Sequence, residues 1–108
     1  MVNINVDSFL VFCKGLEGQT FSTVGGRSTF TVSSVDMNDG ISYYIPSTNK
    51  ERHVYKRYLP PVLKQFAISN SLRPVDYLDL TVNASYTLAL VKRYINSQPQ
   101  QPNRPNSN

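Results

Sequence analysis

Apolar and polar residues alternate with a period of two through the middle of the chain. Phe30 and Val32 are set apart by Thr29, Thr31 and Ser33, and Ile41, Tyr43 and Ile45 by Ser42 and Tyr44. Successive side chains of a strand point to opposite faces, so this pattern predicts two strands with one apolar row each. Asp36-Met37-Asn38-Asp39-Gly40 joins them and ends on an Asp-Gly turn signal. The stretch from Gly25 to Pro46 is therefore expected to be a hairpin that forms the floor of the fold. Val35 falls out of phase after Ser33-Ser34, which predicts a β-bulge or a strand end. The opposite row, Thr29, Thr31, Ser33, Ser42 and Tyr44, carries hydroxyls. Such a face is expected to meet water, with a phosphate backbone as the functional alternative.

Outside the hairpin the period changes. Phe9, Phe12, Cys13 and Leu16 recur at i, i+3, i+4 and i+7 and predict a helix over 7–17, with Asp7 as N-cap and Gly18 as C-cap. Residues 19–24 read as a short strand, turned back by Gly25-Gly26. Residues 51–56 alternate around Val54 and predict a fourth, edge strand, with an early helix start as the alternative. Leu59, Val62, Leu63 and Phe66 make the stripe of a helix over 58–69. Pro60 and Pro61 are tolerated in its first turn, where amides lack intrahelical partners. Pro74–Leu80 reads as a short helix with Val75, Leu78 and Tyr77 inward. The last helix, about 83–96, is capped by Thr81 or Asn83 and buries Ala84, Leu88, Val91 and Ile95. The fold class is thus α+β: an N-terminal helix, a three- to four-stranded antiparallel sheet, then two or three helices packed on one face. Residues 1–96 form one domain, and the polar, Pro-rich 97–108 a disordered tail.

Composition narrows the function only a little. The 108 residues carry 11 Lys+Arg against 7 Asp+Glu, a net charge of +4, which permits a polyanionic partner without requiring one. One cysteine, Cys13, rules out an intramolecular disulfide and reads as a buried structural thiol. Neither a signal peptide nor a run of membrane-spanning length is apparent, so a cytoplasmic protein with no membrane role is expected. Asn83-Ala84-Ser85 matches a glycosylation sequon and reads as fortuitous in that setting.

The main concentration of charge lies between Lys50 and Lys64. Lys50, Arg52, Lys56, Arg57 and Lys64 place five of the eleven cations within fifteen residues, opposed only by Glu51, with His53, Tyr55 and Tyr58 interleaved. Cations neutralise phosphates, guanidinium groups add directed hydrogen bonds, and exposed tyrosines stack on unpaired bases. The competing explanation is a solvated edge strand whose cations discourage edge-to-edge aggregation. Arg27, in the Gly25-Gly26 turn, is a further phosphate candidate. A second arrangement, resembling a helix-turn-helix, would present Asn83, Ser85, Tyr86 and Thr87 at the start of the last helix to base edges. No Lys or Arg stands there, however, and the sheet precedes the helices.

Catalysis has thinner support. Asp36 and Asp39 fit turn positions, Asp76 and Asp79 fit the start of a short helix, and neither pair has a His or third acid at ligand spacing. No metal or cofactor is expected, and a pocket holding His53 with an acid is what an enzyme would need. Segments such as ISYYIP and NASYTLAL resemble those of small prokaryotic accessory proteins, a likeness that implies neither fold nor activity. The function expected is a non-enzymatic nucleic-acid-binding module for DNA or RNA with phosphate-dominated contacts. Its candidate residues are Arg27, Lys50, Arg52, Lys56, Arg57, Lys64, Tyr55 and Tyr58. The alternative is a protein-interaction or regulatory accessory module, homodimeric through a sheet edge or the final helix, with no nucleic-acid role.

Overall fold

The computed structural model describes residues 4–81 and 83–98. The elements follow the order helix α1 (Val6–Lys14), strands β1 (Thr20–Ser22), β2 (Thr29–Asp36), β3 (Gly40–Ile45) and β4 (Lys50–Tyr55), then helices α2 (Leu59–Ser69) and α3 (Ala84–Ser97). Two 3-10 turns, Lys56–Tyr58 and Pro74–Tyr77, introduce α2 and separate it from α3. The sheet is an antiparallel meander in the order β1-β2-β3-β4, with the helices on one face, so the expected α+β architecture holds with four strands.

Period two sets the sheet as the sequence demands. Phe30, Val32, Ile41, Tyr43 and Ile45 are buried, and Phe21, Val35 and Val54 extend their surface at its margins. Each such side chain adds roughly 1.5–3 kcal/mol by leaving water. Val32 pairs with Tyr43 but Ser34 with Ser42, so Ser33 is the extra residue of a bulge. The bulge returns Val35 to the core face and explains its shifted phase. Beyond β1 the margin of β2 is completed by the exit of α1: Gly18 N donates to Val32 O, and Val35 N donates to Glu17 Oε2 at 2.7 Å.

Phe9, Leu10 and Cys13 of α1, Leu59, Leu63 and Phe66 of α2, and Ala89, Leu90 and Val91 of α3 close this core. Phe30 meets Tyr43 edge-on at 5.4 Å, and Tyr86 leans on both rings. A smaller cluster, Val62, Tyr77, Ala84 and Leu88, joins α2 to α3.

Several local expectations are corrected. Asn5, not Asp7, caps α1, its Oδ1 accepting from Ser8 N at 3.0 Å. The helix ends at Gly15 rather than Gly18, which adopts φ +86 in the loop that follows. The Pro74 segment is one 3-10 turn and too short to bury a stripe. Tyr77 takes the inner place, its hydroxyl donating to Ser71 O, and leaves Val75 and Leu78 54% and 61% exposed. Ile95 is only half-buried. The bounds of α3 place Ser97 in the helix, while the rest of the expected tail beyond Gln98 lies outside the described residues. Among the described residues no helix is long and apolar enough to cross a membrane.

Candidate nucleic-acid interface at the β4 edge

Val54 points into the core, so alternation along β4 puts Lys50 and Arg52 on the same, helix-covered face and Glu51, His53 and Tyr55 on the open one. Lys50 and Arg52 pair across to Ile45 and Tyr43, yet both are exposed because β4 is the outermost strand. The strand residues of the open face therefore include no Lys or Arg.

Several of that face's hydroxyls are already engaged. Thr20 Oγ1 lies 2.7 Å from Thr31 Oγ1, Ser33 Oγ donates to Glu51 Oε1, and the Tyr44 hydroxyl donates to Asn49 Oδ1. A phosphate approaching this face would meet the Glu51 carboxylate and several hydroxyls already engaged with neighbouring side chains. The cationic surface is the edge, not the face.

The eight candidate residues separate into distinct settings. Lys56 Nζ sits 3.1 Å from Asp7 Oδ1 and ties the turn after β4 to the first turn of α1. Arg57 lies between two rings, its Cζ 4.7 Å from the centroid of Tyr55 and 5.0 Å from that of Tyr58. Both tyrosines are exposed, at 44% and 38%, with centroids 6.4 Å apart. Lys64 stands on the outer face of α2, beside a cleft lined by Ile4, Val6, Pro60 and Ile68. Arg27 occupies the β1–β2 turn, at the sheet end that also holds Lys50 but on the opposite side. At about 4.8 Å per strand the two are roughly 10–15 Å apart. Lys50 and Arg52, on the helix-covered side of β4, and Arg57, against Tyr55 of the open side and Tyr58, thus border one strand edge as the β4 strip, whereas Arg27 lies across the sheet and Lys64 on α2. Among the described residues, none of Arg27, Lys50, Arg52, Arg57 and Lys64 has a carboxylate within 4.0 Å.

The outer edge of β4 is partly closed. Lys56 N donates to Asp39 O at 2.8 Å, which identifies every second pair along β3–β4 as hydrogen-bonded and turns the His53 carbonyl away from β3. Asn83 Nδ2 donates to that carbonyl at 2.9 Å. Asn83 is itself buried, so its amide serves as a tie between α3 and β4 rather than as a helix cap or an accessible sequon. Thr87 is buried with its Oγ1 3.1 Å from the Tyr43 hydroxyl, and Tyr86 packs on Phe30. The start of α3 is therefore turned into the molecule, which removes the arrangement resembling a helix-turn-helix.

One constellation was missed in reading the sequence. Ser42 Oγ lies 2.8 Å from His53 Nδ1, and His53 Nε2 lies 3.1 Å from Asp39 Oδ2 without hydrogen-bond alignment. The signal was available in the turn length: four residues between Ile45 and Lys50 set Ser42 opposite His53. The order serine, histidine, carboxylate matches a hydrolytic triad, but its setting does not. It lies on the open sheet face, Asp39 is exposed, and the clefts beside β1, α2 and α1 are lined by other residues. Triad chemistry depends on a dry site with donors aimed at the developing oxyanion. The trio spans the β3–β4 pairing, Ser42 directly opposite His53. Cys13 is no nucleophile either: it is fully buried, and desolvation pushes its thiol up to about 12. Among the described residues no three His, Cys, Asp or Glu side chains gather as metal ligands would.

No family model, curated protein or solved structure matches the chain.

Proposed function

We propose that this chain is a small nucleic-acid-binding module that engages the phosphate backbone along the β4 edge, and that it binds rather than catalyses. The observation that carries this reading is the strip of Lys50, Arg52 and Arg57. All three are exposed and have no carboxylate within 4.0 Å among the described residues, and Arg57 is set between two exposed tyrosine rings. A backbone that tracks the edge would pass Lys50 and Arg52 on one side of β4 and Arg57 at its end. The stacking of Arg57 on Tyr55 and Tyr58 holds its guanidinium in place, so less side-chain entropy is lost on meeting a phosphate. Lys56 contributes less, since Asp7 already occupies it.

The test is retention of a mixed-sequence DNA or RNA oligonucleotide at low salt. Replacing Lys50, Arg52 and Arg57 together by Ala should lower the slope of log K against log salt by about two to three. No retention at low salt, or a slope untouched by the triple substitution, ends the reading.

A protein-interaction module, self-associating through a sheet edge, has one observation in its favour. The outer edge of β4 is capped by Asn83 only at His53, and Glu51 also lies at a position turned away from β3. Light scattering separates the two: a monomer that retains oligonucleotide supports the first, and a dimer that retains none supports the second.

A further inference from the structure

A second group of cations stands at the other side of the sheet. Between α1, the β1 strand with the loop after it, and the end of α3 lies a cleft of about 640 Å³. Phe12, Leu16, Phe21, Val24 and Ala89 give it apolar walls, and Lys92 and Arg93 stand at its margin with hydroxyls of Ser22 and Thr23. The size falls in the usual range for small-molecule sites. No carboxylate is among the lining residues, and neither Lys92 nor Arg93 has one within 4.0 Å among the described residues. Arg93 is also held: its Cζ lies 4.3 Å from the centroid of the Phe21 ring, on the cleft wall.

The contrast with the other clefts sharpens the assignment. The one beside α2 has Lys64 alone against Ile4, Val6, Pro60, Leu63, Ala67 and Ile68. The third, along α1, includes Asp7 and no cation. Of these three, the cleft at β1 alone joins apolar walls to two adjacent cations.

We propose that this cleft binds a small amphipathic anion, a compact alkyl or aryl body carrying one carboxylate or phosphate head. The body lies against Phe12, Leu16, Phe21 and Val24, and the head meets Lys92 and Arg93. Burial of the body supplies most of the affinity, and the cations select the head. The proposal is independent of nucleic-acid binding, because none of its residues belongs to the β4 strip.

The test is titration of the full chain with decanoate, decyl phosphate and decanol, followed by calorimetry and by amide chemical shifts. Saturable binding of decanoate or decyl phosphate is expected, with shifts concentrated at Thr23, Val24 and Asn96, and decanol at least about tenfold weaker. The tighter of the two anions identifies the head as carboxylate or phosphate. Arg93→Gln should weaken the anion about tenfold while Arg93→Lys retains most of the affinity. The exposed Lys92→Gln gives a second reading should Arg93→Gln disturb the packing on Phe21. Decanol binding as tightly as the anions, shifts centred on the α2 cleft, or no saturable binding of either anion overturns the proposal.

Discussion

The two edges of the sheet both carry cations that have no acidic partner among the described residues, yet they are finished differently. At β4 the edge is six residues long, with Lys50 and Arg52 exposed on it and Arg57 exposed in the turn that follows. At β1 the edge is three residues long, and the end of α3 stands beside it, so Lys92 and Arg93 overlook a cleft with apolar walls. Arginine lies on an aromatic ring at both places, Arg57 on Tyr55 and Tyr58, Arg93 on Phe21. The rings differ in burial: Phe21 belongs to the core, whereas Tyr55 and Tyr58 are exposed. The same cation–aromatic pairing therefore serves an open strip that suits an extended polyanion at one edge. At the other it serves a hollow that suits one discrete anion. Net charge alone, +4 for the whole chain, does not separate the two.

The comparison breaks most severely if the β4 edge is dislodged. Gly40 opens β3 with φ +135, and a Cβ there would meet Val54 O at 2.0 Å. The obstacle is backbone of the neighbouring strand, which cannot rotate away. Gly40→Ala should cost about 3–5 kcal/mol, since it combines a disfavoured backbone conformation with a clash. Urea unfolding measures the loss, and native-state hydrogen exchange should show β4 amides losing protection before those of α3. A loss under about 1 kcal/mol would mean that β3 and β4 do not approach as described.

The next largest effect separates the edges by function. Replacing Lys50, Arg52 and Arg57 by Ala should weaken oligonucleotide binding about a hundredfold at moderate salt, near 2.7 kcal/mol, and leave decanoate binding unchanged. Arg93→Gln should do the reverse. If one set of substitutions lowers both activities equally, the two edges are a single diffuse positive surface and the contrast drawn between them is wrong.

Much of the fold was legible because the hairpin obeys a simple rule: period two, a bulge where the phase slips, and Gly where the turn ends. The stripe Leu59, Val62, Leu63, Phe66 was equally legible, and all four are buried. Val75 and Leu78 misled because apolar character does not say which residue of a single turn faces inward. Tyr77 took that place, helped by its bond to Ser71. The cations of the β4 strip were legible, but their partners were not. Lys56 finds Asp7 across 49 positions of sequence, and no local pattern encodes that contact. The β1 cleft was invisible for the same reason: Phe12, Phe21 and Arg93 come together only when α1, β1 and α3 pack.

A smaller effect probes α1, the element that reaches both edges through Asp7 on one side and Phe12 and Leu16 on the other. Cys13, on the inner face of this helix, lies in the core, its thiol pushed up to about 12 by burial from 9.0. A raised thiol keeps its proton in the folded state while the unfolded chain releases one. Its stabilisation is complete below about pH 9 and is lost as pH rises toward 12. Stability should fall by about 1 kcal/mol between pH 8 and pH 10, and Cys13→Ala should flatten that fall whatever it does to stability at pH 7. Tyr43, raised by burial in the same direction, adds its own loss only where an unfolded tyrosine ionises, at higher pH. Denaturant titrations of both proteins at pH 8 and pH 10 supply the comparison. Equal slopes would show that Cys13 is not sealed between α1 and the rest of the core.

The mildest test removes the tie between α1 and the β4 strip. Asp7 is largely exposed, and its pairing with half-buried Lys56 is worth less than about 1 kcal/mol to stability. Its effect on binding has the opposite sign. Asp7→Asn takes one negative charge from beside the strip and frees the Lys56 ammonium for a phosphate. Oligonucleotide affinity should then rise about two- to fivefold at low salt, with the salt slope steeper by roughly one. Decanoate affinity should stay the same, because Asp7 does not line the β1 cleft. Fluorescence anisotropy at three salt concentrations measures the slope. A gain in affinity without a change in slope would mean that Lys56 does not reach a phosphate. A loss of affinity would mean that the Asp7–Lys56 pair holds the turn bearing Arg57 in its binding shape, making the strip dependent on α1 rather than on β4 alone.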